Sequence, residues 1–337
     1  MGDRRLTPKL DWVRLEGDAI AGAGHLRQKV AVDAPVDIYL AIERPSGSRV
    51  LALGFEQPPR NSLAETVKLR GLRVSEAPFA MGHKPWTVSI ATSRTDDNQM
   101  FGELADDLVS VIAATSSGDE ASDALAARLE CWHRFLDHAG SAGLSAEAQV
   151  GLYGELWCLR DLLIPAINVG DAVMSWQGPD GGPQDFQGSG WSVEVKTTRQ
   201  LAPTVVRVSN ERQLDAGDGF LALIVVGVEE RPQGGETLPG IVESLRAIVR
   251  GTLVLSTFED HLLSAGYMDA QANRYGDTGY VIRRVLEYGV AGEFPRIVEP
   301  GLPSGIGNVA YDLSLDACES FRLQPDQLPA MIAAARR

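Results

Sequence analysis

Apolar and polar positions alternate in short runs from about Leu26 to Ser93. The segments KVAV (29–32), VDIYLAIE (36–43), RVLALGFE (49–56), VKLRGLRV (67–74) and WTVSIATS (86–93) have this period of two, which predicts strands. Pro45-Ser46-Gly47 between two of them predicts a hairpin turn. The period then changes. Phe101, Leu104, Leu108, Val111 and Ile112, followed after a Ser-Ser-Gly-Asp break by Leu125, Leu129, Trp132 and Phe135, stand at helical spacing and predict two helices. A third helix is expected from Ser145 to Leu163, with Ser145 as N-cap and Pro165 ending it. Next come a short strand at 172–176, a Gly/Pro-rich loop at 178–183, a turn at Gly188-Ser189-Gly190 and a strand from Trp191 to Thr198. A strand at 204–208 leads to a helix start at Ser209-Asn210, where Asn210 and Gln213 resemble a capping pair. The run 219–228 is almost wholly apolar and predicts a strand buried on both faces. Helices at 238–250 and 257–265 and strands at 280–288 and 309–315 complete the pattern.

The expected organisation is an α+β or α/β chain in three stretches. These are an N-terminal antiparallel β domain (1–95), a helical connector (96–144) and a C-terminal mixed sheet flanked by helices (145–337). The length, 337 residues with 44% hydrophobic, suits two compact units that need no disulfide or structural metal. Cys131, Cys158 and Cys318 are far apart and form no CxxC pair, which points to a reducing, cytoplasmic setting. No stretch has the length of a signal peptide core or a membrane span.

The net charge of −14 argues at first against nucleic acid as a partner. It is uneven, however. Residues 1–80 carry 12 basic and 10 acidic side chains, residues 81–150 carry 4 and 11, and residues 151–337 carry 15 and 24. The N-terminal region alone is net positive, so Arg27, Lys29, Lys68, Arg70 and Arg73 are candidates for DNA or partner contacts.

The stretch from Asp185 to Lys196 carries the chemistry. In Trp191-Ser192-Val193-Glu194-Val195-Lys196-Thr197-Thr198, strand alternation puts Ser192, Glu194, Lys196 and Thr198 on one face. Asp185 precedes Glu194 by nine residues across a Gly-Ser-Gly turn, a spacing at which a hairpin sets the two carboxylates side by side. Two carboxylates and the Val195 carbonyl form a hard, oxygen-rich site suited to magnesium or manganese. A divalent cation there would lower the pKa of bound water and offset charge developing on a phosphodiester, while Lys196 stabilises the nucleophile or transition state. Glu155, in Gly151-Leu152-Tyr153-Gly154-Glu155-Leu156, lies off the leucine stripe of its helix and can reach the same cluster.

These residues resemble the PD-(D/E)XK nuclease superfamily, which includes restriction enzymes, Mrr-like nucleases and Holliday-junction resolvases. Asp185 stands for the motif aspartate, Glu194-Val195-Lys196 for (D/E)XK, and Glu155 for the helix glutamate of several branches. The resemblance is strongest to a bacterial family of unknown function assigned to that superfamily. It extends over Gly151 to Leu156, Asp185 to Thr197, Ser209 to Leu214, Phe294 to Arg296 and Tyr311 to Leu313, and only weakly over the N-terminal sheet. It implies a restriction-endonuclease-like fold and a magnesium-dependent DNA endonuclease, with manganese able to substitute, in restriction or phage defence. The implied catalytic set is Glu155, Asp185, Glu194 and Lys196, with Asp185, Glu194 and the Val195 carbonyl on the metal. Thr198 and Gln213 are secondary candidates for substrate contact. DNA, a methyltransferase or ATPase, and a second copy of the chain are the implied partners. The alternative is a catalytically silent DNA-binding or scaffolding subunit of a defence complex. Two departures stand out: Pro183-Gln184-Asp185 replaces a contiguous Pro-Asp, and no tyrosine follows Gln213 at its fourth position, where Gly217 stands.

Each signal has a plainer reading. A Glu-x-Lys triplet alone is commonly a solvated strand face, and it is the conjunction with Asp185 and Glu155 that points to a site. Asp180 reads as a turn residue in Pro-Asp-Gly. His133 and His138 are five apart, off the four-residue spacing of a helical metal pair. The tryptophans read as core before base-stacking platforms. The glycines have neither P-loop nor dinucleotide-binding spacing.

Overall fold

The computed structural model describes residues 10–17, 24–30, 32–59, 71–78, 84–93, 95–138, 143–217 and 219–335. The fold is α+β, in two compact units, 1–141 and 142–337. In the first, a short helix α1 (Trp12–Gly17) precedes strands β1 (Gly24–Lys29), β2 (Asp37–Arg44), β3 (Arg49–Phe55), β4 (Leu72–Ala77) and β5 (Trp86–Thr92). They form one antiparallel sheet in the order β1-β2-β3-β5-β4. Helices α2 (Asn98–Ala113) and α3 (Gly118–His138) follow in the same unit. The hairpin at Pro45–Gly47 is present, closed by the Glu43 N–H to the Ser48 carbonyl at 2.9 Å.

Two strand expectations here need correction. Of the strand expected at 29–32, only Lys29 lies in β1, which runs earlier, from Gly24, with Lys29 opposite Tyr39 and the Val30 N–H still bonded to the Ile38 carbonyl, while Ala31 lies outside the described residues. The strand expected at 67–74 falls partly outside the described residues, and β4 starts only after Gly71, whose φ is +78°. Of the basic candidates, Lys68 and Arg70 lie outside the described residues. Lys29 pairs with Asp37 at 2.6 Å and Arg73 with Glu43 at 2.7 Å, while Arg27 is exposed.

The second unit opens with helix α4 (Ala146–Trp157), capped by Ser145 Oγ accepting the Ala148 N–H at 3.2 Å. A π-helical turn, Cys158–Leu163, prolongs it. Helix α5 (Val169–Ser175) replaces the strand expected at 172–176, because Asn168 caps the Asp171 N–H and sets a helical start before an apolar run too short to fix a period. Strands β6 (Phe186–Gly188), β7 (Trp191–Thr198), β8 (Val205–Val208), β9 (Phe220–Pro232) and β10 (Glu236–Thr237) follow. Next come helices α6 (Leu238–Val249) and α7 (Leu255–Ser264), strands β11 (Thr278–Gly289) and β12 (Tyr311–Ser314), and helix α8 (Gln327–Ala335). No helix grows from Ser209-Asn210. The segment makes a turn instead, since Asn210 Oδ1 accepts the Arg212 N–H and Gln213 Oε1 accepts the Ser209 N–H.

The central sheet runs β10-β11-β9-β7-β6, with β7 parallel to β9 and the other neighbours antiparallel, and β8 pairs with β12 in a separate ribbon. Leu221 to Val226 on β9 are all 0% exposed, as expected of a strand covered on both faces. One face of the sheet packs on α4. The other packs Leu221, Leu223 and Val225 against Val206, Val208 and Leu313 of the ribbon. β7 therefore lies between two covering layers, and its alternate side chains enter opposite ones. No helix among the described residues is long and apolar enough to cross a membrane.

Candidate active site

The site is built where β7 runs past its short partner β6. The antiparallel pairing spans only Phe186–Val193 to Gly188–Trp191, around a tight turn in which Gly190 takes φ +76°, a left-handed conformation natural to glycine. Asp185 stands one residue before this ladder begins. Its Oδ2 accepts the Val195 N–H at 2.7 Å, so the carboxylate continues the ladder that the backbone has left. The N–H and C=O of one strand residue point to the same edge, which turns the Val195 carbonyl toward Asp185 as well.

Glu194 and Lys196 share the ribbon-side face of β7, as alternation predicts. Glu194 is 1% exposed, and its Oε1 lies 2.8 Å from Lys196 Nζ. Lys196 Nζ also donates to Gln213 Oε1 at 2.9 Å, and that same oxygen is held by the Ser209 N–H at 2.8 Å. Glu155 approaches from the helix side. Helix α4 sits very close to β7 at this point: a Cβ on Gly154 would fall 1.8 Å from Thr197 Oγ1. Glu155, the next residue, has its Oε2 held by Trp176 Nε1 at 2.8 Å. The segment after Trp176 then ties to Asp185, since the N–H groups of Gln177 and Gly178 both donate to the Asp185 carbonyl, at 2.8 and 2.9 Å.

Three carboxyls thus share one low-dielectric place with one ammonium. Burial, reinforced by the charge of Asp185, pushes Glu155 up to about 8. Burial pushes Asp185 up to about 6, against the opposing pull of the Val195 N–H and Lys196. Burial and then Asp185 raise Glu194 well above the usual carboxylate range. Such shifts mark a cluster short of positive charge.

Two observations bear on whether a cation fits. Glu194 Oε2 is buried and has no hydrogen-bond partner among the described residues, a costly arrangement for a carboxylate oxygen. Gly178 also leaves open the space between two other oxygens: a Cβ there would lie 3.0 Å from Asp185 Oδ1 and 3.2 Å from Glu155 Oε2. Among the described residues no group of three or more His, Cys, Asp or Glu side chains is arranged to hold an ion on its own. A magnesium or manganese ion would therefore rest on Asp185, Glu194, the Val195 carbonyl and water, a donor set typical of hard ions that keep several waters. The residues fit the group.

The structure brings Glu155, Asp185, Glu194, Lys196 and Gln213 together. Thr198 stands apart: its Oγ1 accepts the Gln200 N–H at 3.1 Å and shapes the turn that ends β7. Asp180 lies in a single 3-10 turn, Gly178–Asp180, but it also reaches His261, with Oδ2 3.2 Å from Nε2. Trp176, Gly178 and His261 border the site without having been singled out for it. No sequence signal marks them, because nothing in local spacing links Trp176 to Glu155 or His261 to Asp180.

No curated protein and no solved structure matches the chain. A family model does match, over residues 9–316. That span takes in both units and every residue of the cluster, and the chain belongs to the family described as "Putative PD-(D/E)XK family member, (DUF4420)", one with a nuclease-like fold.

Proposed function

We propose that the chain is a divalent-cation-dependent DNA endonuclease, using magnesium with manganese as a substitute. The observation that carries this reading is the buried Glu194, paired through Oε1 with Lys196 and bare at Oε2, beside Asp185. A stable fold gains nothing from a buried carboxylate left half-satisfied, whereas a phosphodiesterase needs such an oxygen. Asp185, Glu194 and the Val195 carbonyl would hold the cation, which supplies an activated water and offsets charge on the phosphate.

The chain's own residues do the rest. Lys196 has three N–H donors, and Glu194 and Gln213 engage two of them. The third is left for a phosphate oxygen in the transition state. Gln213, fixed by the Ser209 N–H, holds the ammonium in place from the ribbon side. Glu155 holds its proton at neutral pH in the cation-free protein and assists as a donor or acceptor beside Asp185.

Membership in the family supports DNA as the substrate. A cytoplasmic restriction or phage-defence role, a methyltransferase or ATPase partner and a homodimer belong to the same proposal, and Arg27, Lys29 and Arg73 are exposed basic candidates of the first unit. With a net charge of −14, the isolated chain should bind DNA weakly in EDTA. The test is cleavage of plasmid and branched DNA with magnesium or manganese, by wild type and Lys196→Ala. Cleavage by wild type alone is the expected result. Equal activity, or tight DNA binding in EDTA, would overturn the reading. Two inactive proteins that take up no cation at Asp185 would favour the silent subunit.

A further inference from the structure

The segment from Trp176 to Asp180 touches both Glu155 and Asp185. It holds Glu155 through the Trp176 indole and Asp185 through two backbone N–H groups. Its other side rests on α7. The ring of Phe258 lies 6.1 Å from that of Trp176, the ring of His261 lies 5.7 Å away edge-on, and His261 Nε2 is 3.2 Å from Asp180 Oδ2.

His261 is unusual in this position. It is 6% exposed, and its Nδ1 is buried with no hydrogen-bond partner. A phenylalanine would pack against Trp176 and Phe258 without burying a bare nitrogen. What a phenyl ring cannot do is hold the Asp180 carboxylate. That hold matters because Gly178-Pro179-Asp180-Gly181-Gly182-Pro183 has few side chains with which to fix itself.

We propose that His261, acting through Asp180, is a positioning residue that fixes the spacing of Glu155 and Asp185 for the cation. Nε2 is the ring nitrogen that faces the Asp180 carboxylate. The link then runs from α7 through Asp180 into the 176–180 segment, whose Gln177 and Gly178 N–H groups hold the Asp185 main-chain carbonyl and whose Trp176 indole holds the Glu155 carboxyl. Outer groups that orient the residues around a metal commonly change its affinity by tenfold or more, and His261 acts on them through Asp180 and the segment it anchors.

This inference rests on the reading that the Asp185 site takes a divalent cation, and the experiment separates the two. Calorimetric titration with magnesium or manganese alone is made on the full chain as wild type, Asp185→Asn, His261→Phe, His261→Gln and Asp180→Ala, with thermal melting of each. His261→Phe is expected to weaken cation affinity about tenfold at an unchanged melting midpoint. His261→Gln, whose side-chain N–H can still reach Asp180, is expected to restore most of the loss. Asp180→Ala should match His261→Phe, and because Asp180 is partly exposed it carries the test if the histidine variants fail to fold. Cation affinity of Asp180→Ala or of a folded His261→Phe equal to wild type overturns the positioning role and leaves the nuclease reading standing. A loss that His261→Gln does not restore assigns His261 to packing alone and also overturns it. Equal binding by wild type and Asp185→Asn overturns both.

Discussion

The protein contains two five-stranded sheets that treat the polar half of the strand alternation in opposite ways. In the first unit, central strands β3 and β5 bury apolar side chains such as Leu51, Leu53, Val88 and Ile90, all 0% exposed. Its charged strand residues stay at least partly exposed and pair locally, Arg73 with Glu43 and Lys29 with Asp37. In the second unit, β7 uses the same alternation but is covered on both faces, so its polar positions are driven inward and Glu194 becomes 1% exposed. Surface pairs contribute little to either sheet. A buried carboxylate cluster costs stability unless something else neutralises it. The first sheet is arranged for folding, and the second gives up stability at the Glu194–Lys196 end of β7, where the proposed site lies.

The largest expected effect lies at that end. Lys196→Ala or Glu194→Gln should lower DNA cleavage by about two to three orders of magnitude, measured on supercoiled plasmid. Glu43→Ala in the first sheet, which removes the partner of Arg73, should leave cleavage near wild type, and a comparable loss from it would break the contrast. Next comes the seating of α4. Gly154→Ala forces a Cβ onto Thr197 and should destabilise the second unit by about 1–3 kcal/mol in denaturant titration. Gly118→Ala, where a Cβ meets nothing within 4 Å, should be close to neutral.

The pH dependence has a definite sign. Glu155 and Asp185 have folded values raised to about 8 and about 6, above their ordinary values. The folded cation-free protein therefore keeps protons that the unfolded chain has released. Its stability should fall as pH rises from about 4 toward 8, by on the order of several kcal/mol, roughly ten degrees or more of melting midpoint. Millimolar magnesium should flatten that slope by taking the protons' place. A cation-free protein that melts higher at pH 8 than at pH 5 would contradict the buried cluster. Smallest of all, Arg73→Ala should change the stability of the first unit by no more than about 0.5 kcal/mol.

The elements with a strong period were legible in the sequence. β7 spans Trp191–Thr198 as alternation required, the wholly apolar run became the core of β9, and Ser145 capped α4. Expectations failed where local signals were short. Residues 172–176 formed part of a helix once Asn168 capped it, and Asn210 with Gln213 shaped a turn. Gln213 is the instructive case, because its side chain left the cap it resembled and joined Lys196 across the ribbon layer.

By itself the sequence determined the strand that carries Glu194 and Lys196, the hairpin that returns Asp185 beside it, and the helix that bears Glu155. Each of these follows from short-range periodicity and turn chemistry acting within about ten residues. Only the tertiary structure decided which face of β7 would be sealed, how deeply Glu194 would sink, and that Trp176, Gly178, Asp180 and His261 would gather around the carboxyls. Burial and electrostatic coupling depend on which layers close over a strand, and the contacts that set them join residues far apart in the chain.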